Sequence, residues 1–256
     1  MSTGHASALF WHGHDHGFAA RLDARLRLLA VIAFVVLLPA LSSLVSVLMA
    51  LALAAALAVV ARLPAGPTLK RLAVMEGFLL VLVITLPFTM PGEAAFQLGP
   101  VTASWPGIIR SLTIMLRVAA AALVIAALLS GLGSLGLATA MAGLGLPHRL
   151  VGLFLLTFRH IGLLQQEYER LIRAMKARAF RFSTSPHGWA ALGQLLGMLL
   201  IRAEARSTRL ARAMKARGFS GQFIERAQTP LTTADWLFLS LWSLALAALL
   251  LGSRAA

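Results

Sequence analysis

Long apolar stretches alternate with clusters of basic residues along the chain, and the stretches come in lengths that match a lipid bilayer. The first, residues 28–61, runs 34 residues without a charge and is interrupted by Pro39 and the polar pair Ser42-Ser43. As one helix it would be roughly 51 Å long, against a hydrocarbon core of about 30 Å. That is too long for one crossing and a little short for two, so the pattern predicts two short, tilted helices hinged near Pro39. Residues 72–90, 108–132 and 236–251 predict three further crossings.

Charge decides the parity. With two crossings in the first stretch and the N-terminus inside, Arg21, Arg25, Arg27, Arg62, Lys70 and Arg71 all lie on the cytoplasmic side. The loop 91–106, which has no Lys or Arg, then lies outside, and residues 131–231 return inside with 14 of the 23 basic residues. A single crossing there would export the basic segment, against the positive-inside rule. Residues 182–201 are also uncharged, but their apolar part, 188–201, has 14 residues, a length suited to a buried or interfacial helix. Five crossings are expected, N-terminus in and C-terminus out, in a bacterial inner membrane. The first helix is expected to be its own insertion signal, because residues 1–17 lack an apolar signal region.

Composition agrees. Of 256 residues 59% are hydrophobic and 12% charged, with a mean hydropathy of +0.83, whereas soluble domains carry about 25% charged residues. The net charge of +14 would suit a nucleic-acid partner. Here the bases alternate with membrane-length stretches, so they set orientation and no nucleic acid is expected. The chain has no cysteine, which removes disulfides, thiolate metal sites and a cysteine nucleophile.

One internal repeat stands out. Residues 170–180, Arg-Leu-Ile-Arg-Ala-Met-Lys-Ala-Arg-Ala-Phe, recur 39 positions later at 209–219 as Arg-Leu-Ala-Arg-Ala-Met-Lys-Ala-Arg-Gly-Phe, with nine of eleven positions identical. Each copy closes a long helical pattern, with Pro147 and Pro186 suited to the first turns. In each, an arginine sits between small residues, Ala177-Arg178-Ala179 and Ala216-Arg217-Gly218. Small neighbours admit another backbone, and the guanidinium fork pairs with carboxylates or carbonyls. The alternative is a solvated face of good helix formers. Duplication favours two near-identical plugs for two near-identical sockets, as a pair of homologous partner subunits would offer.

On these residues the chain resembles the transmembrane T component of energy-coupling factor (ECF) transporters, the EcfT/CbiQ family of ABC importers, and especially the cobalt-type CbiQ. Leu22-Asp23-Ala24-Arg25-Leu26-Arg27-Leu28 is similar to the family's opening. Leu146-Pro147, Thr157-Phe158-Arg159, Glu167, Ala174 and Ala177-Arg178-Ala179 follow its first coupling helix, and Ala213 through Phe219 its second. Ala179 departs from the family's usual glycine; a small residue remains, which reads as tolerated variation. The resemblance implies an all-α polytopic membrane scaffold with about five transmembrane helices and a cytoplasmic coupling domain of long crossed helices. Residues 1–20 would be a cytoplasmic tail, 21–130 four membrane helices, 131–230 the coupling domain and 231–256 the last membrane helix.

The resemblance further implies that Ala177, Arg178, Ala179, Ala216, Arg217 and Gly218 couple to two ATP-binding cassette subunits (CbiO/EcfA-like), supported by Pro147, Arg159, Glu167, Ala174 and Ala213. A membrane substrate-binding subunit (CbiM-like, with or without a small CbiN-like subunit) and membrane lipid would complete the surroundings. Such a subunit is not an enzyme and binds no cofactor; ATP and Mg sit on the partners. Cobalt is the expected cargo, with nickel or a vitamin as alternatives.

Other signals weigh less. Gly131-Leu132-Gly133-Ser134-Leu135-Gly136 has the spacing of a dinucleotide fingerprint but follows a membrane helix and has no acid about 20 residues on, so a bend is expected. His12, His14 and His16, with His5 and Asp15, offer nickel, cobalt or zinc ligands. They also suit a solvated tail. A membrane metalloenzyme built on them, or a structural protein whose basic helices bind anionic lipid, are the rival classes. Arg117 lies mid-span with Arg110 two turns before it, and Glu76 is the acid available to either; a structural role holding helices together is expected. His148 and His160 read as structural.

Overall fold

A computed structural model describes residues 22–90, 93–98, 101–180, 183, 185–219 and 231–255. The elements are α1 (Ala24–Leu37), a 3₁₀ turn (Leu38–Ala40), α2 (Leu44–Val60), α3 (Ala65–Thr89), β1 (Ala94–Leu98), β2 (Val101–Ser104), α4 (Trp105–Leu129), α5 (Ser134–Gly143), α6 (His148–Ala177), α7 (Pro186–Ala216) and α8 (Thr233–Ala255). The described residues fall into two compact units, 22–140 with 231–255, and 141–219.

In the first unit the break at Pro39 falls where the sequence predicts it. Proline cannot continue the helix, the chain tightens into the 3₁₀ turn, and Ser43 restarts it by accepting from the Ser46 N–H at 3.2 Å. Helices α3, α4 and α8 are each long and apolar enough to cross a membrane. The shorter α1 and α2, of 14 and 17 residues, complete the apolar bundle. The protein is an all-α polytopic membrane protein. Two features escape the hydropathy pattern: β1 and β2 pair as a small antiparallel hairpin between α3 and α4, and α5 follows the bend after α4.

Small residues shape the core. Val47, Ala50 and Ala54 of α2 share one buried cluster with Ala120, Val124 and Leu128 of α4. Lipid tails are as apolar as leucine, so helices in a bilayer gain by close backbone approach, which alanine permits. Helices α1 and α8 add Phe34 and Trp242, whose ring centroids lie 5.8 Å apart. The Trp242 indole N–H donates to the Ala30 carbonyl at 3.2 Å.

Polar contacts fix the direction of α8. The Asp235 carboxylate accepts from the Asp23 N–H at 2.9 Å and from the Thr232 N–H and hydroxyl, both at 2.8 Å. Buried Arg27 stands near it, its Nε donating to the Leu22 carbonyl at 3.1 Å. At the other end the Ser42 hydroxyl reaches the Ser253 carbonyl at 3.4 Å. Helices α1 and α8 therefore run parallel, as five crossings require of the first and the last.

Helices α3 and α4 pack antiparallel. A Cβ on Gly107 would stand 2.7 Å from the Pro87 Cα, so only glycine fits this approach. Ser104 caps α4, accepting from the Gly107 N–H at 3.3 Å while its hydroxyl donates to the Pro87 carbonyl at 3.2 Å. From this contact Glu76 is eleven residues along α3 and Arg117 ten along α4, so the two lie within about 2 Å of the same depth. They do not pair. Arg117 donates through Nη2 to the carbonyl of fully buried Leu41, just past the Pro39 break. Neither Glu76 oxygen has a hydrogen-bond partner among the described residues, and Arg110 is exposed.

Irregular backbone at membrane depth survives only where protein satisfies it, and Arg117 does this for Leu41. Arg117→Ala orphans a buried carbonyl and is expected to destabilise the detergent-solubilised protein by about 1–3 kcal/mol. Arg110→Ala, at an exposed site, is expected to change it by less than about 0.5 kcal/mol. Thermal unfolding of the purified variants checks both.

Candidate functional site

The second unit is built around α6 and α7, of 30 and 31 residues, or about 45 Å each. Pro147 is the N-cap residue of α6, one position before the first turn, and Pro186 is the first residue of α7. Both prolines suit a start where the helix needs no N–H donor. Ser185 caps α7, its hydroxyl accepting from the Gly188 N–H at 3.2 Å. A Cβ on Gly188 would overlap the Ser183 carbonyl, so the entry to α7 requires glycine.

The two repeat copies end their helices identically. In α6 the Ala179 N–H bonds to the Lys176 carbonyl at 3.0 Å and the Phe180 N–H to the Met175 carbonyl at 3.1 Å. In α7 the Gly218 N–H bonds to Lys215 at 3.0 Å and the Phe219 N–H to Met214 at 3.0 Å. This is the Schellman arrangement, in which a left-handed residue just past the helix folds the chain back onto its last carbonyls. Ala179 has φ 58° and Gly218 φ 78°. The glycine position of the motif is thus a backbone requirement as well as a matter of size. Gly218 meets it freely; Ala179 meets it at a cost of about 1–2 kcal/mol.

Both caps leave the same side chains outward. Arg178 and Arg217 are the C-cap residues, exposed like their neighbours Ala177, Ala179, Ala216 and Gly218, while Met175, Phe180, Met214 and Phe219 are half-buried. No ion pair among the described residues involves Arg178 or Arg217, although Arg173 pairs with Glu169 at 3.6 Å. Lys176 and Lys215 complement the negative helix ends.

Glu167 is the polar tie between the two rods. It is 9% exposed, accepts from the Arg202 Nη1 of α7, and lies 3.7 Å from Arg170 on its own helix. Arg202 is a partner that sequence spacing does not signal, because it stands 35 positions away. Ala174, Ala213, Pro147 and Arg159 are exposed, and His160 Nδ1 lies 2.8 Å from the Leu156 carbonyl of its own helix. His12, His14 and His16 lie outside the described residues; among those described, no three His, Asp or Glu side chains gather as a metal site.

Fold and site define a polytopic membrane subunit with a separate pair of long helices, each ended by a capped, exposed arginine. The CbiQ family, described as cobalt transport protein, matches residues 16–231. The energy-coupling factor transporter transmembrane protein EcfT of Heliobacterium modesticaldum is 30% identical over 213 residues, covering 78% of this chain and 79% of that one. EcfT of Acidaminococcus fermentans is 28% identical over 216 residues, with the same coverage. EcfT of Leuconostoc gelidum subsp. gasicomitatum is 30% identical over 151 residues, covering 55% and 56%. The chain belongs to the CbiQ family, the T components of energy-coupling factor transporters.

Two outcomes are expected from this geometry. Ala179→Gly relieves the left-handed residue and Gly218→Ala creates one, each worth about 1 kcal/mol in opposite directions. Amide exchange at Phe180 should slow about fivefold in the first variant, and that at Phe219 should quicken about fivefold in the second. Glu167→Gln weakens the α6–α7 tie by about 1–2 kcal/mol. Spin labels on the two helices should then report a broader distance distribution, with helix content unchanged.

Proposed function

We propose that this T component couples ATP hydrolysis by two partner ATPase subunits to cobalt uptake through a membrane substrate-binding subunit. The observation that carries the reading is the pair of identical Schellman-capped ends, each presenting an exposed arginine that no acid of the described chain neutralises. A cap made from backbone bonds alone keeps the tip shaped while leaving the guanidinium to pair with a carboxylate or a row of carbonyls.

The supporting residues have matching parts. Glu167 ties the rods where a load on one end is passed to the other, and Ala174 and Ala213 keep the faces behind the tips low. The chain itself is a non-catalytic scaffold without a cofactor, and nucleotide and Mg belong to the partners. The N-terminus, the tips and the helices that carry them face the cytoplasm of a bacterial cell, a reading supported by the distribution of basic residues. Cobalt as cargo is supported by the description of the CbiQ family.

The double variant Arg178→Glu with Arg217→Glu is expected to release both ATPase subunits from the purified complex and abolish uptake, while the chain remains folded in the membrane. Arg173 is already paired on its own helix, so Arg173→Glu is expected to retain assembly. Co-purification measures the first effect; uptake of radiolabelled cobalt, with nickel as competitor, measures the second. Intact assembly in the double variant refutes the docking role.

A further inference from the structure

The first tip borders a cavity. Between the end of α6 and the first half of α7 lies an open cleft of about 760 Å³, lined by Leu171, Met175, Leu195 and Met198 together with Arg178 and Phe180. Ala174 and Ala179 also line it, so the cleft is continuous with the first docking tip. Arg217 and Gly218 line no part of it. The volume lies within the range of pockets that enclose a small ligand, about 300–1,000 Å³, so several side chains fit.

Its chemistry narrows the occupant. No carboxylate lines the cleft. Of its two arginines, Arg202 is engaged by Glu167, whereas Arg178 has no acid partner among the described residues. A carboxylate reaching Arg178 across the cleft would form a charge-assisted hydrogen bond, with His187 and Gln194 as further polar lining. Methionine lines the cleft twice, and its flexible thioether adapts to the apolar side chains of a partner. We propose that this cleft receives a short segment of the ATPase subunit docked at the first tip, an acidic residue flanked by apolar ones. The proposal rests on the docking reading above.

The test uses the cysteine-free chain in its assembled complex. Lys176→Cys and Lys215→Cys place equivalent single thiols beside the two tips, and a thiol-reactive photo-crosslinker then captures whatever protein is docked at each. Met198 is exposed, so Met198→Trp fills the cleft, and Met198→Glu repels an acid without filling it. Met198→Lys controls for the loss of methionine. Tryptophan and glutamate are expected to lower capture of an ATPase subunit at position 176 by about tenfold, the equivalent of one lost interface anchor, and to leave capture at 215 unchanged. Lysine is expected to preserve both.

Unchanged capture at 176 in both the tryptophan and glutamate variants overturns the cleft proposal and leaves the docking reading intact, as occupancy by lipid would. An equal fall at both positions overturns it too, because the cleft would then act on the whole unit. Absence of capture at both positions with Met198 in place overturns the docking reading itself.

Discussion

A helix that stops leaves N–H and C=O groups without partners, and inside a bilayer those groups must be met without bulk water. The two units meet this constraint in different ways. In the membrane unit, side chains reach across from other elements: Arg117 reaches the Leu41 carbonyl, the Ser104 hydroxyl reaches the Pro87 carbonyl, and Asp235 holds the Asp23 N–H. Each of these bonds joins two elements, while Ser43, Ser104 and Asp235 also cap the starts of their own helices. The bundle is therefore held by its own interruptions, with alanine-lined contacts between α2 and α4 bringing the backbones close enough for side chains to reach.

In the unit of α6 and α7 the ends are completed locally. The chain folds back on itself and its own amides bond the last carbonyls. Because the cap consumes no side chain, Arg178 and Arg217 stay uncommitted. Because the cap exists without a partner, docking in the proposed assembly would order few further residues, which lowers the entropy lost on association. Arginine suits such a tip better than lysine, since its planar fork is already oriented for two parallel bonds. The polar link between the rods among the described residues, Glu167 to Arg202, lies away from the tips and leaves them free to be gripped.

Much of this was legible in order along the chain. Hydropathy places the break at Pro39 and the apolar helices to within about seven residues of their ends, the start of α3 at Ala65 being the furthest from its expected position at 72, because a bilayer imposes one length scale on every crossing. The charge pattern predicts an odd number of crossings, and the parallel run of α1 and α8 agrees with an odd number. The repeat located both helix ends, since a Schellman cap is encoded by five consecutive residues. What was not legible depends on separation. Nothing near Glu167 points to Arg202, nothing near Leu41 points to Arg117, and Asp235 draws no notice until the fold sets it beside Asp23. The hairpin before α4 escaped because its strands are too short to show an alternation, and α5 because its glycine-rich start reads as a bend.

The two positions at which the repeat copies differ follow their surroundings. Ile172 is half-buried where Ala211 is exposed, so the larger apolar side chain stands at the more buried position. Ala179 replaces Gly218 at a left-handed backbone, the one site in the cassette where a methyl group is unfavourable by about 1–2 kcal/mol. Ala179 also lines the cleft beside Arg178. Near-identity of sequence thus covers one backbone requirement met in two ways: Gly218 adopts the left-handed conformation freely, whereas Ala179 adopts it at a cost and borders a cavity.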